Sequence, residues 1–109
     1  MKVQTEVKDQ FTIIRLEGRM NISFVQEIES EYLQNVNSAQ TANLLVDIER
    51  VDYISSSALR LFVSTLKICK EKKIRLVLTG LNSSAKKIFE LVEMNSMFEI
   101  KEKVKDVIQ

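Results

Sequence analysis

Apolar and polar residues alternate along the first stretch of the chain. Residues 2 to 7 do so weakly, and Phe11-Thr12-Ile13-Ile14-Arg15-Leu16-Glu17 is rich in the β-branched and aromatic residues that strands favour. The polar Lys8-Asp9-Gln10 between them suits a hairpin turn, so two antiparallel strands are predicted, the second closed by Gly18. The period then changes. Val25, Ile28, Tyr32 and Val36 recur at helical spacing, with Gln26, Glu27, Glu29, Ser30 and Glu31 largely opposite. Either Asn21 or Ser23 can cap this helix, and Ser23 with Gln26 matches a capping box. Asn37 to Thr41 is a polar exit.

Asn43-Leu44-Leu45-Val46-Asp47-Ile48 is a short apolar run of the kind found in a covered strand. Arg50 to Ile54 leads from it to three consecutive hydroxyl residues, Ser55, Ser56 and Ser57, and then to an amphipathic helix. Leu59, Phe62, Val63, Leu66 and Cys69 mark its apolar face, and Arg60, Ser64, Lys67, Lys70 and Glu71 fall mostly elsewhere. Serine oxygens accept from the unpaired N–H groups of a first helical turn, so the three serines stand at a helix N-terminus. Ile74 to Leu78 reads as the next strand, closed by Gly80. Asn82, Ser83 or Ser84 can cap a helix bearing Ile88, Leu91 and Val92, with Asn95 as its stop. Met97 to Ile100 reads as a last short strand, and Lys103 to Ile108 as a helical turn or two.

Strands alternating with helices after an opening hairpin predict an α/β domain with a mixed sheet of about five strands, because a helical crossover returns the chain in the same direction. In such a sheet the loops that leave the strands' carboxyl ends and enter the helices gather along one edge, where binding sites tend to lie. Those loops hold Asn21 and Ser23, then Ser55 to Ser57, then Asn82 to Ser84. A rim of small hydroxyl and amide residues is expected there, most of them serving as helix caps.

Composition narrows the function. The chain has 109 residues, enough for one domain, with 45% hydrophobic and 28% charged residues, an ordinary globular balance. Its net charge of +1 argues for neither nucleic acid nor a membrane surface. The charge is uneven: residues 1 to 66 carry six basic and nine acidic groups, residues 67 to 109 ten and six. The later excess of lysines suits a solvated helical surface better than a nucleic-acid footprint. No apolar run approaches the roughly 20 residues of a membrane span, and a cytoplasmic protein is expected. Cys69 stands alone in an apolar helical series and reads as a buried thiol. With no histidine and only two glycines, both at strand ends, there is no base for a serine nucleophile and no glycine-rich phosphate loop, so neither an enzyme nor a cofactor is expected. The spacing of Asp47, Glu49 and Asp52 suggests no metal site; Asp47 and Asp52 read as solvated or turn-forming groups, Asp47 at a strand end beside the serines.

The sequence Asp47-Ile48-Glu49, followed by Val51-Asp52-Tyr53-Ile54-Ser55-Ser56-Ser57-Ala58-Leu59, resembles the signature of the bacterial anti-sigma factor antagonists of the STAS domain family. That signature reads Asp-Ser-Ser/Thr-Gly-Leu-Gly, with the first hydroxyl residue after the Asp as phospho-acceptor; Ser56 takes that place. Ser55 stands for the Asp, Ala58 for the first Gly and Arg60 for the second. The resemblance implies a single STAS domain over residues 1–109 that is not an enzyme. Its partners would be a kinase-type anti-sigma factor, which it binds when unphosphorylated to free a sigma factor, and a serine phosphatase. The implied partner-binding surface comprises Asn21, Ser23, Ser55, Ser56, Ser57, Ala58 and Arg60. Arg60, four residues after Ser56, is placed to pair with a phosphate there or with an acidic partner. The alternative is an unphosphorylated STAS scaffold in another bacterial signalling complex.

Overall fold

The hairpin forms as the alternation predicts. In the computed structural model, which describes residues 2–108, β1 (Lys2–Lys8) pairs antiparallel with β2 (Phe11–Met20), and Asp9 takes the left-handed conformation in the turn between them. Met1 and Gln109 of the expected domain lie outside the described residues. There follow α1 (Ile22–Asn37), β3 (Asn43–Ile54), α2 (Ser56–Lys72), β4 (Arg75–Thr79), α3 (Ser83–Leu91) and β5 (Glu99–Lys101). A single 3-10 turn, Val104–Asp106, occupies the stretch expected to be helical near the end of the chain.

The five strands form one mixed sheet in the order β1-β2-β3-β4-β5, every pair after the first being parallel. Each strand thus lies beside its predecessor in sequence, and β1 is an edge. Side chains alternate across the pleat: Ile14, Leu16, Leu44, Val46, Leu76 and Leu78 face the helices, whereas Phe11, Ile13 and Leu45 face the other side, where Ile108 covers them. The three helices therefore share one face of the sheet, and the segment around the 3-10 turn covers part of the other.

Two strands run further than their sequence patterns suggest. β2 does not end at Gly18, and β3 does not end near Ile48; Arg19 pairs with Tyr53 and Met20 with Ile54. β3 carries one extra residue between the Arg15↔Asp47 and Glu17↔Arg50 pairs, and another between Gly18↔Val51 and Arg19↔Tyr53. These bulges break the alternation, so the buried residues in this half of the strand are Ile48, Val51 and Ile54, three apart.

The helices pack through specific contacts. All four predicted α1 residues, Val25, Ile28, Tyr32 and Val36, are buried, together with Phe24. The buried Tyr32 hydroxyl lies 2.8 Å from Thr65 Oγ1 of α2, and Thr65 in turn donates to the Leu61 carbonyl at 2.8 Å. Burial raises the Tyr32 phenol well above its ordinary pKa. α2 buries Ala58, Leu61, Phe62, Thr65 and Cys69, a face rotated from the predicted one; Leu59, Val63 and Leu66 are half-buried. α3 buries Ala85 and Phe89, leaving Leu91 and Val92 exposed and Ile88 half-buried. The left-handed residue past α3 is Glu93, so the helix stops before Asn95.

Cys69 is buried as expected, and burial pushes its thiol up to about 11. Little thiolate exists at neutral pH, and what exists is sheltered. A maleimide or disulfide reagent at pH 7.5 should label native Cys69 far more slowly than denatured Cys69. Rapid stoichiometric labelling of the folded protein would contradict this placement.

Candidate functional site: the polar rim at the helix N-termini

The three helices that follow β2, β3 and β4 all begin at the same edge of the sheet, each with a capping residue in extended conformation. Asn21 Oδ1 accepts from Phe24 N at 2.9 Å, Ser55 Oγ from Ala58 N at 3.3 Å and Asn82 Oδ1 from Ala85 N at 2.8 Å. Each satisfies one of the donors that a helix start leaves unpaired. The predicted rim is thus present, with one residue per loop as its cap. Ser23 and Gln26 form no capping box, because Asn21 holds the cap and Ser23 lies inside the first turn. The loops are tied together: Ser55 N donates to the Met20 carbonyl at 3.0 Å, and Asn82 Nδ2 to the Val51 carbonyl at 3.4 Å.

The three serines have separate roles. Ser55 is the cap. Ser57 is half-buried, and its Oγ accepts from Arg60 Nη2 at 3.2 Å. Ser56, the first residue of α2, is exposed, and among the described residues nothing hydrogen-bonds its hydroxyl. Ala58 is fully buried beneath the rim, so it fits where a small side chain is needed and offers no surface to a partner. The exposed Arg60 reaches Ser57, not Ser56.

Around Ser56 the strand ends add residues that the sequence pattern does not reveal. Arg19 stacks on the Tyr53 ring with its guanidinium carbon 4.3 Å from the centroid. Tyr53 and the exposed Ile22 line a depression of about 400 Å³ with Asn21, Ser23, Ser55 and Ser56. A second depression of similar size, between α1 and α2, is lined by Ile22, Gln26, Glu29, Ser57 and Arg60 among others. Signals existed in Gly18-Arg19 and Asp52-Tyr53, but joining them required the β2–β3 register, which the bulges conceal.

Asp47 is elsewhere. It lies on the sheet face away from the helices, seven residues before β3 ends, so it neither stands beside the serines nor is solvated. Its Oδ1 accepts from Thr79 Oγ1 at 3.1 Å and from Glu49 N at 3.2 Å, and Arg15 Nε is 3.8 Å from Oδ2. Asp47, Glu49 and Arg15 line a concavity of about 630 Å³ with Gln4, Glu17 and Arg50. Asp52 is exposed. Among the described residues no three His, Cys, Asp or Glu side chains gather as a metal would require.

Chemically, the rim offers an accessible hydroxyl at the first turn of a 17-residue helix, where free N–H groups and the helix dipole accommodate negative charge. The hydroxyl can accept a phosphoryl group from an enzyme that supplies the base to take its proton.

An anti-sigma-B factor antagonist from Staphylococcus aureus is 26% identical to this chain over 102 residues, 94% of each protein. An anti-sigma-factor antagonist (STAS) domain protein from Planctomyces limnophilus has the same fold, with a TM-score of 0.85 at 20% identity over 95% of this chain and 92% of its own. The Bacillus cell fate determinant SpoIIAA in its phosphorylated form superposes with a TM-score of 0.71 at 17% identity, covering 97% of this chain and 96% of that one. Residues 2–107 match the STAS domain, so the serine rim and the sheet that carries it are those of a chain that belongs to the STAS domain family.

Proposed function

We propose that this protein is an anti-sigma factor antagonist. It binds a kinase-type anti-sigma factor through the rim, and phosphorylation of Ser56 releases it. The observation that carries the reading is the division of labour among the serines: Ser55 is committed to capping and Ser57 to Arg60, while Ser56 presents an unbonded, exposed hydroxyl. The similarity to an anti-sigma-B factor antagonist supports the partner class.

A phosphoryl group replaces the neutral hydroxyl with about −1.5 to −2 charges and three acceptor oxygens. A helix N-terminus accommodates such a charge, and the phosphorylated form of SpoIIAA, which has this fold, supports survival of the domain on phosphorylation. A partner packed on the rim would instead meet a dianion that loses its water on binding, so binding is lost while the domain stays folded. A serine phosphatase resets the switch. No described helix is long and apolar enough to cross a membrane, and the reading places the protein in the cytoplasm with its partners.

Phosphopeptide mapping after incubation with the cognate anti-sigma kinase and ATP tests this directly. Phosphate is expected on Ser56; Ser56→Ala should bind the partner constitutively, and Ser56→Asp at least about tenfold more weakly. Phosphate confined to Ser55 or Ser57 would move the site. A stable complex without phosphate would favour the unphosphorylated scaffold.

A further inference from the structure

Beside the rim, the flank of α2 that faces the α3–β5 turn is unfinished. Leu59 and Val63, both half-buried, line a groove of about 300 Å³ with Met94. Its charged lining consists of Arg60 and Lys67, both exposed, with no carboxylate. The depression on the other side of the Arg60–Ser64 ridge differs, because Glu29 is part of its wall. Leu59, Val63 and Lys67 are four residues apart and so form one stripe on the helix. Leu91 at the end of α3, and Val92 and Met97 in the turn that supplies Met94, are exposed.

An apolar floor whose charged lining is cationic calls for apolar side chains flanked by carboxylates. We propose that this groove is a second docking site on the same partner. It receives an acidic segment of the anti-sigma factor, with one or two apolar side chains on Leu59, Val63 and Met94 and carboxylates facing Arg60 and Lys67. The inference rests on the antagonist reading above. It also accounts for Arg60. A phosphate on Ser56, one helical turn away, attracts the guanidinium and withdraws one of the groove's two cations, so the switch weakens both contacts together.

The test is calorimetric titration of the purified anti-sigma factor from the same organism into wild type, Lys67→Glu, Val63→Gln and Ser56→Asp at two salt concentrations. Thermal melts first establish that each variant is folded. Lys67→Glu is expected to bind about tenfold more weakly with a shallower salt dependence, and Val63→Gln about fivefold more weakly at both salts. If both bind within about twofold of wild type while Ser56→Asp still loses binding, the groove is not a docking site and the antagonist reading stands. Tighter binding by Lys67→Glu would likewise overturn the acidic occupant. Failure of wild type to bind the anti-sigma factor would withdraw both.

Discussion

Replacing Phe62 by alanine lowers the free energy of unfolding by about 3–5 kcal/mol, read as a lower urea midpoint at unchanged slope. Phe62 has no solvent exposure and its ring centroid is 6.3 Å from that of Phe89, which in turn meets Phe98 edge-on at 5.8 Å. This aromatic row joins α2 to α3 and to the residue preceding β5, so truncation leaves a cavity bordered by three elements that cannot all move in to fill it. A domain of this size is stable by about 5–15 kcal/mol in total, and one side chain thus governs a large share. Leu59→Ala, at a half-buried position of the same helix, should cost distinctly less. Ser56→Ala, which removes an exposed and unbonded hydroxyl, should fall within about 0.5 kcal/mol of wild type. Equal losses at positions 59 and 62 would mean that α2 presents a different face to the core, and a costly Ser56→Ala would make that serine a structural cap.

Gly80→Ala is expected to destabilise by about 2–6 kcal/mol, from two causes that add. The residue sits at φ +82, where an L side chain is strained by about 1–3 kcal/mol. An added Cβ would also lie 2.5 Å from Glu49 N and 2.6 Å from Glu49 Cα, a collision of about 1–3 kcal/mol with backbone that no rotamer change relieves. Glu49 is the point where β3 bulges away from β2, so yielding there would disturb the register that brings β3 to the serines. Chemical denaturation again measures the cost, and a loss below about 1 kcal/mol would mean that this turn relaxes freely.

α1 was legible because it buries a single stripe whose members are all large: Val25, Ile28, Tyr32 and Val36. α2 was legible as a helix but not in its facing, since it lies between α1 and α3. Its buried arc includes the small Ala58 and the polar Thr65, which is satisfied by Tyr32, and neither weighs in a hydrophobic pattern. In α3 the apolar pattern favoured Leu91 and Val92, yet the short helix turns Ala85 and Phe89 inward, which leaves Leu91 on its outer side and Val92 just past its end. At the rim, the chemistry of caps identified each loop, and geometry then chose Asn21 over Ser23 and Asn82 over its serine neighbours. What stayed hidden depended on pairing: bulges lengthen β3, carry Tyr53 to Arg19, and remove Asp47 from the place its position in sequence suggested.

The strand order bears on how the chain assembles as it leaves the ribosome. Because each strand lies beside the one made just before it, β2 can pair with β1, β3 with β2 and β4 with β3 without waiting for later sequence. The face away from the helices behaves differently. Phe11, Ile13 and Leu45 emerge early but are covered by Ile108, so a nearly complete nascent sheet carries a bare apolar back until the segment after β5 arrives. For that interval the chain is a natural client for chaperones that recognise exposed apolar surface, and premature termination before Val104 would prolong the interval indefinitely.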